Sequence, residues 1–168
     1  NLINRLKDET VIADLEKADI ISISIGGNDF LMSNLINLMF DSIVLKDHSR
    51  FDEIADGFYS NLCEIIRIIN SHNADAVILM QTLYNPQSGY LRAPYQEGAD
   101  RINAAIERYN KENPGEIIIV DVANALGDDM ANYADDEIHP SAKGNEIIAN
   151  VILDKLEEIE LGSDVSPV

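Results

Sequence analysis

The sequence predicts a three-layer α/β fold. Three apolar runs of strand length, residues 20–25, 76–82 and 116–121, are separated by segments of helical periodicity. That alternation marks a parallel sheet covered by helices on both faces. At 168 residues the chain has the length of one domain with a sizeable core, expected over residues 1–161 and followed by a frayed tail at 162–168. Its turn-forming residues gather directly after the strands, at 26–30, 84–94 and 123–134, the end of an open α/β sheet that carries the site.

Residues 6–17 form a helical lead-in to the first strand. Between the first and second strands lie two helical segments, 31–45 and 51–69. In the second of these Ile54, Phe58, Leu62, Ile65 and Ile69 recur at helical spacing and define one apolar face. Ile102, Ala105, Ile106 and Tyr109 mark another amphipathic helix before the third strand. Asn113-Pro114-Gly115 ends it, because proline cannot continue a helix and glycine takes the left-handed backbone of a stop. The last helix is expected at 141–160, with Ile148, Val151, Ile152, Leu156 and Ile159 facing inward. No internal repeat or low-complexity stretch interrupts the domain.

Thirty acidic residues stand against twelve basic ones, a formal charge of -18. This argues against nucleic acid as a partner, since phosphate binding needs clustered Lys and Arg; a solvated acidic surface accounts for it. The longest apolar runs are too short to cross a bilayer, so no membrane span and a soluble chain are expected. The single cysteine, Cys63, falls on the apolar side of a helix, the setting of a buried structural thiol. One cysteine excludes an internal disulfide and leaves the compartment open, secretion included. The chain starts at Asn1 without an initiator Met, and a processed or cleaved product is expected.

Two motifs carry chemistry. Gly26-Gly27-Asn28-Asp29 ends the first strand, and Asp136-Glu137-Ile138-His139-Pro140 precedes the last helix. Asn28 on a rigid strand end can offer an amide to an oxygen that gains charge in a tetrahedral intermediate. The bland reading is turn chemistry, in which Asn tolerates left-handed backbone. Asp29 is read as a cap for the following helix. His139 with a carboxylate three residues upstream is the pairing of a general base held in one tautomer; the bland reading is a chance loop pair on an acidic surface. Asp135 and Glu137 are spare carboxylates.

A metal site on Asp135, Asp136, Glu137 and His139 is the competing chemistry, and it lacks further nitrogen or sulfur ligands, with His48 and His72 in inter-element loops. No serine has the setting of a nucleophile. Ser22 and Ser24 lie within a strand, and Ser33 and Ser141 suit helix starts. Gly127-Asp128-Asp129-Met130 reads as a loop. The aromatic loop Tyr84-Asn85-Pro86 to Gly89-Tyr90-Leu91 is either a cleft rim or ordinary packing.

Over essentially the whole chain, the order and wording of these motifs resemble the SGNH hydrolases, the GDSL-type lipases and esterases. The resemblance implies a flavodoxin-like parallel sheet of which this chain supplies three strands, with about two more upstream. It implies that Asn28 is the oxyanion-hole Asn, His139 the general base and Asp136 the residue that orients it. The family's Gly-Asp-Ser and oxyanion-Gly blocks would lie upstream of Asn1, so the nucleophile is expected outside this chain and the chain alone is expected to be inactive. The implied activity is hydrolysis of a small ester by acyl transfer, without metal or cofactor. The alternative is a non-catalytic carbohydrate- or lipid-binding member of the fold. Strand 20–25 would then have one edge unpaired within the chain, to be covered by a missing N-terminal fragment, a second copy or a rearranged segment.

Overall fold

The computed structural model describes residues 2–28 and 35–159. The 162–168 tail and the helix-start readings of Asp29 and Ser33 lie outside the described residues. The lead-in is two helices, α1 (Leu2–Arg5) and α2 (Glu9–Leu15). A single helix over 6–17 gives way because Asp8 prefers to cap: its carboxylate accepts the Thr10 N–H at 2.9 Å and starts a new helix.

Three short parallel strands follow in the order β1 (Ile20–Ile23), β2 (Val77–Gln81) and β3 (Ile118–Val120). Ile20 lies opposite Val77 and Ile23 opposite Met80; Leu79 lies opposite Ile118 and Gln81 opposite Val120. Side chains alternate across the sheet. Ile21, Ile23, Ile78, Met80 and Ile119 face one core, and Val77, Leu79, Ile118 and Val120 the other.

The segment expected at 31–45 contains α3 (Leu35–Phe40) and a π-helical turn, Asp41–Leu45. Helices α4 (Ser49–His72) and α5 (Arg92–Glu112) cover the first core. Phe58, Leu62, Ile65, Ile66 and Ile69 of α4 pack there with Tyr95, Ala99, Ile102 and Ile106 of α5. Each of the Phe, Leu and Ile side chains among them contributes about 1.5–3 kcal/mol by leaving water. Asn73 closes α4 and ties it to α2, donating from Nδ2 to Leu15 O and Ala18 O at 2.8 Å each. Leu15 O also accepts the Ala18 N–H at 3.2 Å at the end of α2. Cys63 is only partly buried against this core, not enclosed as expected.

Helices α6 (Val122–Leu126) and α7 (Ala142–Glu158) cover the second core, which completes the three layers. Two segments expected as loops are partly helical. Helix α5 starts at Arg92 and takes in Pro94, which is tolerated in a first turn whose N–H groups lack acceptors. The 123–134 stretch holds α6 and a 3-10 turn, Met130–Asn132, started by Asp121 and Asp129 as side-chain caps. Ser141 caps α7 and accepts the Gly144 N–H at 3.1 Å. Among the described residues β1 pairs with β2 alone; Ile20 is 40% exposed, so its other edge and one face lie open.

Candidate active site

An isolated antiparallel bridge between Tyr133 and Pro140 closes residues 134–139 into a hairpin. The Ala134 N–H donates to His139 O at 2.8 Å and the Glu137 N–H to Ala134 O at 3.1 Å. Inside it, Asp136 Oδ1 accepts the backbone N–H groups of Ile138 at 2.9 Å and His139 at 3.0 Å. Its Oδ2 lies 2.7 Å from His139 Nδ1. An ionised carboxylate only accepts, so Nδ1 carries a proton, and in the neutral ring Nε2 keeps its lone pair. Asp136 is therefore the carboxylate against the imidazole; Asp135 and Glu137 are not. The His139 side chain is 72% exposed and open to a reacting partner.

The imidazole hydrogen bond, then the two backbone N–H groups, hold the Asp136 carboxyl down at about 2, below the ordinary 3.8. A depressed folded-state value means that the contribution of this carboxylate is present above its unfolded value and lost as pH falls through about 2. The Asp136 side-chain carboxyl carbon should keep its ionised chemical shift when the pH is lowered to about 3 and move between about 3 and 1. A transition centred near pH 4 would show that the hairpin does not hold the Asp136 carboxyl down.

Asn28 and His139 line one cleft of about 430 Å³ beyond the carboxyl ends of β1 and β2. The chain turns into it at Gly26, where φ is +114° and an added Cβ would come 3.1 Å from Ile102 Cγ2. Leu2 and Ile3 of α1, Phe58, Asn61 and Ile65 of α4, and Leu83, Tyr84 and Tyr95 also line it. Burial pushes the Tyr95 phenol up to about 12, so it stays protonated. Ser24 lies just past β1 and also lines the cleft, whereas Ser22 accepts the Gln81 side chain at 3.0 Å and Ser141 caps α7. Among the described residues no hydroxyl bonds His139 Nε2, and no three His, Cys, Asp or Glu side chains converge as a metal site. His48, next to the first residue of α4, pairs with Glu97, and His72, the last residue of that helix, faces Glu16.

The loop after β2 reaches the hairpin as well as the cleft. The Tyr84 hydroxyl donates to Ile138 O at 3.2 Å, Gln87 Nε2 to Glu137 O at 2.5 Å and Ser88 Oγ to Glu137 Oε1 at 2.7 Å. Burial, then the Asp136 charge, raises the Tyr84 pKa and keeps that donor protonated. Asn85 and Gln87 are 6% and 5% exposed. None of these contacts was predicted from sequence, because each joins residues about fifty positions apart. The one signal was the position of Asn85-Pro86-Gln87-Ser88 after the central strand.

Residues 4–147 match the GDSL-like Lipase/Acylhydrolase family. The uncharacterized protein YpmR of Bacillus subtilis (strain 168) is 22% identical over 167 residues, covering 94% of this chain and 62% of that protein. The chain thus spans less than two thirds of that relative's length. The crystal structure of the lipase Lip_vut3 from a goat rumen metagenome superposes with a TM-score of 0.70 at 23% identity, covering 91% of this chain and 71% of that one. The family 3 carbohydrate esterase of Clostridium thermocellum gives 0.57 at 19% identity, covering 89% and 64%. At these identities the two structures establish the shared α/β fold.

Proposed function

The chain belongs to the GDSL-like lipase/acylhydrolase family, and from that premise we propose that it carries the acid–base half of an ester-hydrolysing site. The observation that carries this reading is the 2.7 Å contact between Asp136 and His139 in the cleft that also receives Asn28. In the proposed cycle a serine hydroxyl attacks the acyl carbon of a small ester and gives its proton to His139 Nε2. The imidazolium, steadied by Asp136, returns that proton to the leaving alcohol. The Asn28 side-chain amide donates to the oxyanion, a contact of the kind that lowers a barrier by roughly 3–4 kcal/mol. Water then repeats the steps on the acyl-enzyme.

We assign the nucleophilic serine to a segment outside residues 1–168. Two observations support that assignment: His139 Nε2 bonds no hydroxyl among the described residues, and β1 has an edge without a partner among them. A segment bearing the serine would pair with that edge, as a second copy of the chain also could. Denaturing mass spectrometry separates the two, because a retained peptide has its own mass.

Activity tests the whole reading. Residues 1–168 alone should not hydrolyse short aryl esters above background, whereas the full-length protein should. Robust serine-dependent turnover by residues 1–168 would move the nucleophile into this chain, with Ser24 the first candidate because it lines the cleft.

A further inference from the structure

Glu137, between Asp136 and His139, has φ +52°, left-handed backbone that a residue with a Cβ disfavours. That conformation folds the turn back so that one carboxylate reaches two amides and an imidazole. Within the hairpin the Glu137 N–H on Ala134 O and the Ile138 and His139 N–H groups on Asp136 favour the turn. From outside, the loop after β2 restrains it through Tyr84 on Ile138 O and, at residue 137 itself, through Gln87. Its Nε2 donates to the carbonyl oxygen of Glu137 itself, at 2.5 Å. Ser88 holds only the Glu137 carboxylate, at the end of a flexible side chain.

Gln87 is also preset. It is 5% exposed; its N–H donates to Asn85 Oδ1 at 3.0 Å, and its carbonyl accepts from Arg92 Nη1 at 3.3 Å. Asn85 Nδ2 in turn donates to Arg92 O and Gln96 Oε1, both at 3.0 Å, which fixes the loop on α5. The amide orientation follows from its partner, because a carbonyl oxygen only accepts.

We propose that Gln87 is a positioning residue for the Asp136–His139 pair. By holding the Glu137 carbonyl it keeps residue 137 left-handed, and so keeps Asp136 Oδ2 against His139 Nδ1. Its effect on turnover rests on His139 being the base; its effect on the imidazole does not.

The test is nitrogen NMR of the neutral imidazoles of His48, His72 and His139 in the full-length protein, with ester kinetics alongside. The intact protein should show His139 as the Nδ1–H tautomer. Gln87→Met, which keeps the length and removes the donor, should convert it to a mixture with the Nε2–H form while the His48 and His72 signals stay in place. In the same variant kcat should fall roughly 10- to 100-fold with KM within about twofold. Gln87→Glu, nearly isosteric, gives the same reading should the Met variant not fold. Adding Glu137→Gly to Gln87→Met should restore the Nδ1–H form, because glycine takes left-handed backbone unaided. An unchanged tautomer in a folded Gln87 variant overturns the proposal whatever the activity does, and so does a failure of Glu137→Gly to restore it. A shifted tautomer with unchanged kcat supports the positioning role and counts against His139 as base.

Discussion

His139→Ala in the full-length protein should lower kcat for an aryl ester by roughly 10⁶-fold, and Asp136→Asn by roughly 10⁴-fold, the scale of losses when a hydrolytic triad loses its base or its orienting carboxylate. The two should differ because the roles proposed for them differ. Without the imidazole nothing takes the proton of the attacking hydroxyl. With Asn at 136 the imidazole remains, but the amide no longer selects Nδ1–H, and the imidazolium formed on proton transfer loses its counter-charge. Both changes leave the fold intact on the structure's own terms, since the two side chains are 72% and 47% exposed. KM should move little, because neither group is asked to hold the substrate. Retention of even a tenth of the activity by His139→Ala would remove His139 from the role of base.

Gly144→Ala should destabilise the protein by about 3 kcal/mol, the upper end of overpacking costs. The melting temperature would then fall by roughly 6–12 °C for a chain of this size. An added Cβ would sit 2.0 Å from Asn132 O and 3.0 Å from the Pro140 ring. Asn132 O cannot retreat freely, because it accepts the Ser141 N–H at 2.9 Å at the start of the same helix. The first turn of α7 would have to lift from the 3-10 turn beneath it, and Pro140 is bonded covalently to His139. Gly57→Ala is the control. It lies in α4 with nothing within 4 Å of an added Cβ, so it should gain about 0.5–1 kcal/mol from helix propensity alone. A Gly144→Ala melt within about 2 °C of the parent would mean that the helix start yields more easily than its contacts imply.

The parts of the molecule that sequence revealed are those set by neighbours along the chain. The three strands stood out because Ile, Val and Leu run together between turn residues, and α4 because its apolar positions repeat at helical spacing. The contact of Asp136 with His139 spans three residues, so the sequence alone carries it. Other features depend on what the fold brings from elsewhere. The close approach at Gly144 needs the Asn132 backbone, and the bond from Gln87 to Glu137 crosses between two loops. Asn85 and Gln87 read as polar loop residues, and nothing local distinguishes a solvated amide from one buried at 5–6% exposure. The lead-in failed as one helix for the opposite reason: a local preference of Asp8 outweighed a continuous apolar pattern.

The parallel ladder acts as the gauge of the cleft. Asp136 and His139 are set within one hairpin, whereas Asn28 enters the cleft from the end of β1, whose register against β2 pairs Ile20 with Val77 and Ile23 with Met80. One step along a strand is about 3.3 Å, more than the length of a hydrogen bond. A slip of a single pair would shift Asn28 along the cleft that it lines with His139 and turn Ile21 and Ile23 out of their core. An inserted or deleted residue anywhere in β1 would thus separate amide from imidazole without touching either one. The place of Asn28 in the cleft is written in the packing of isoleucines, and the same burial that stabilises the sheet sets it.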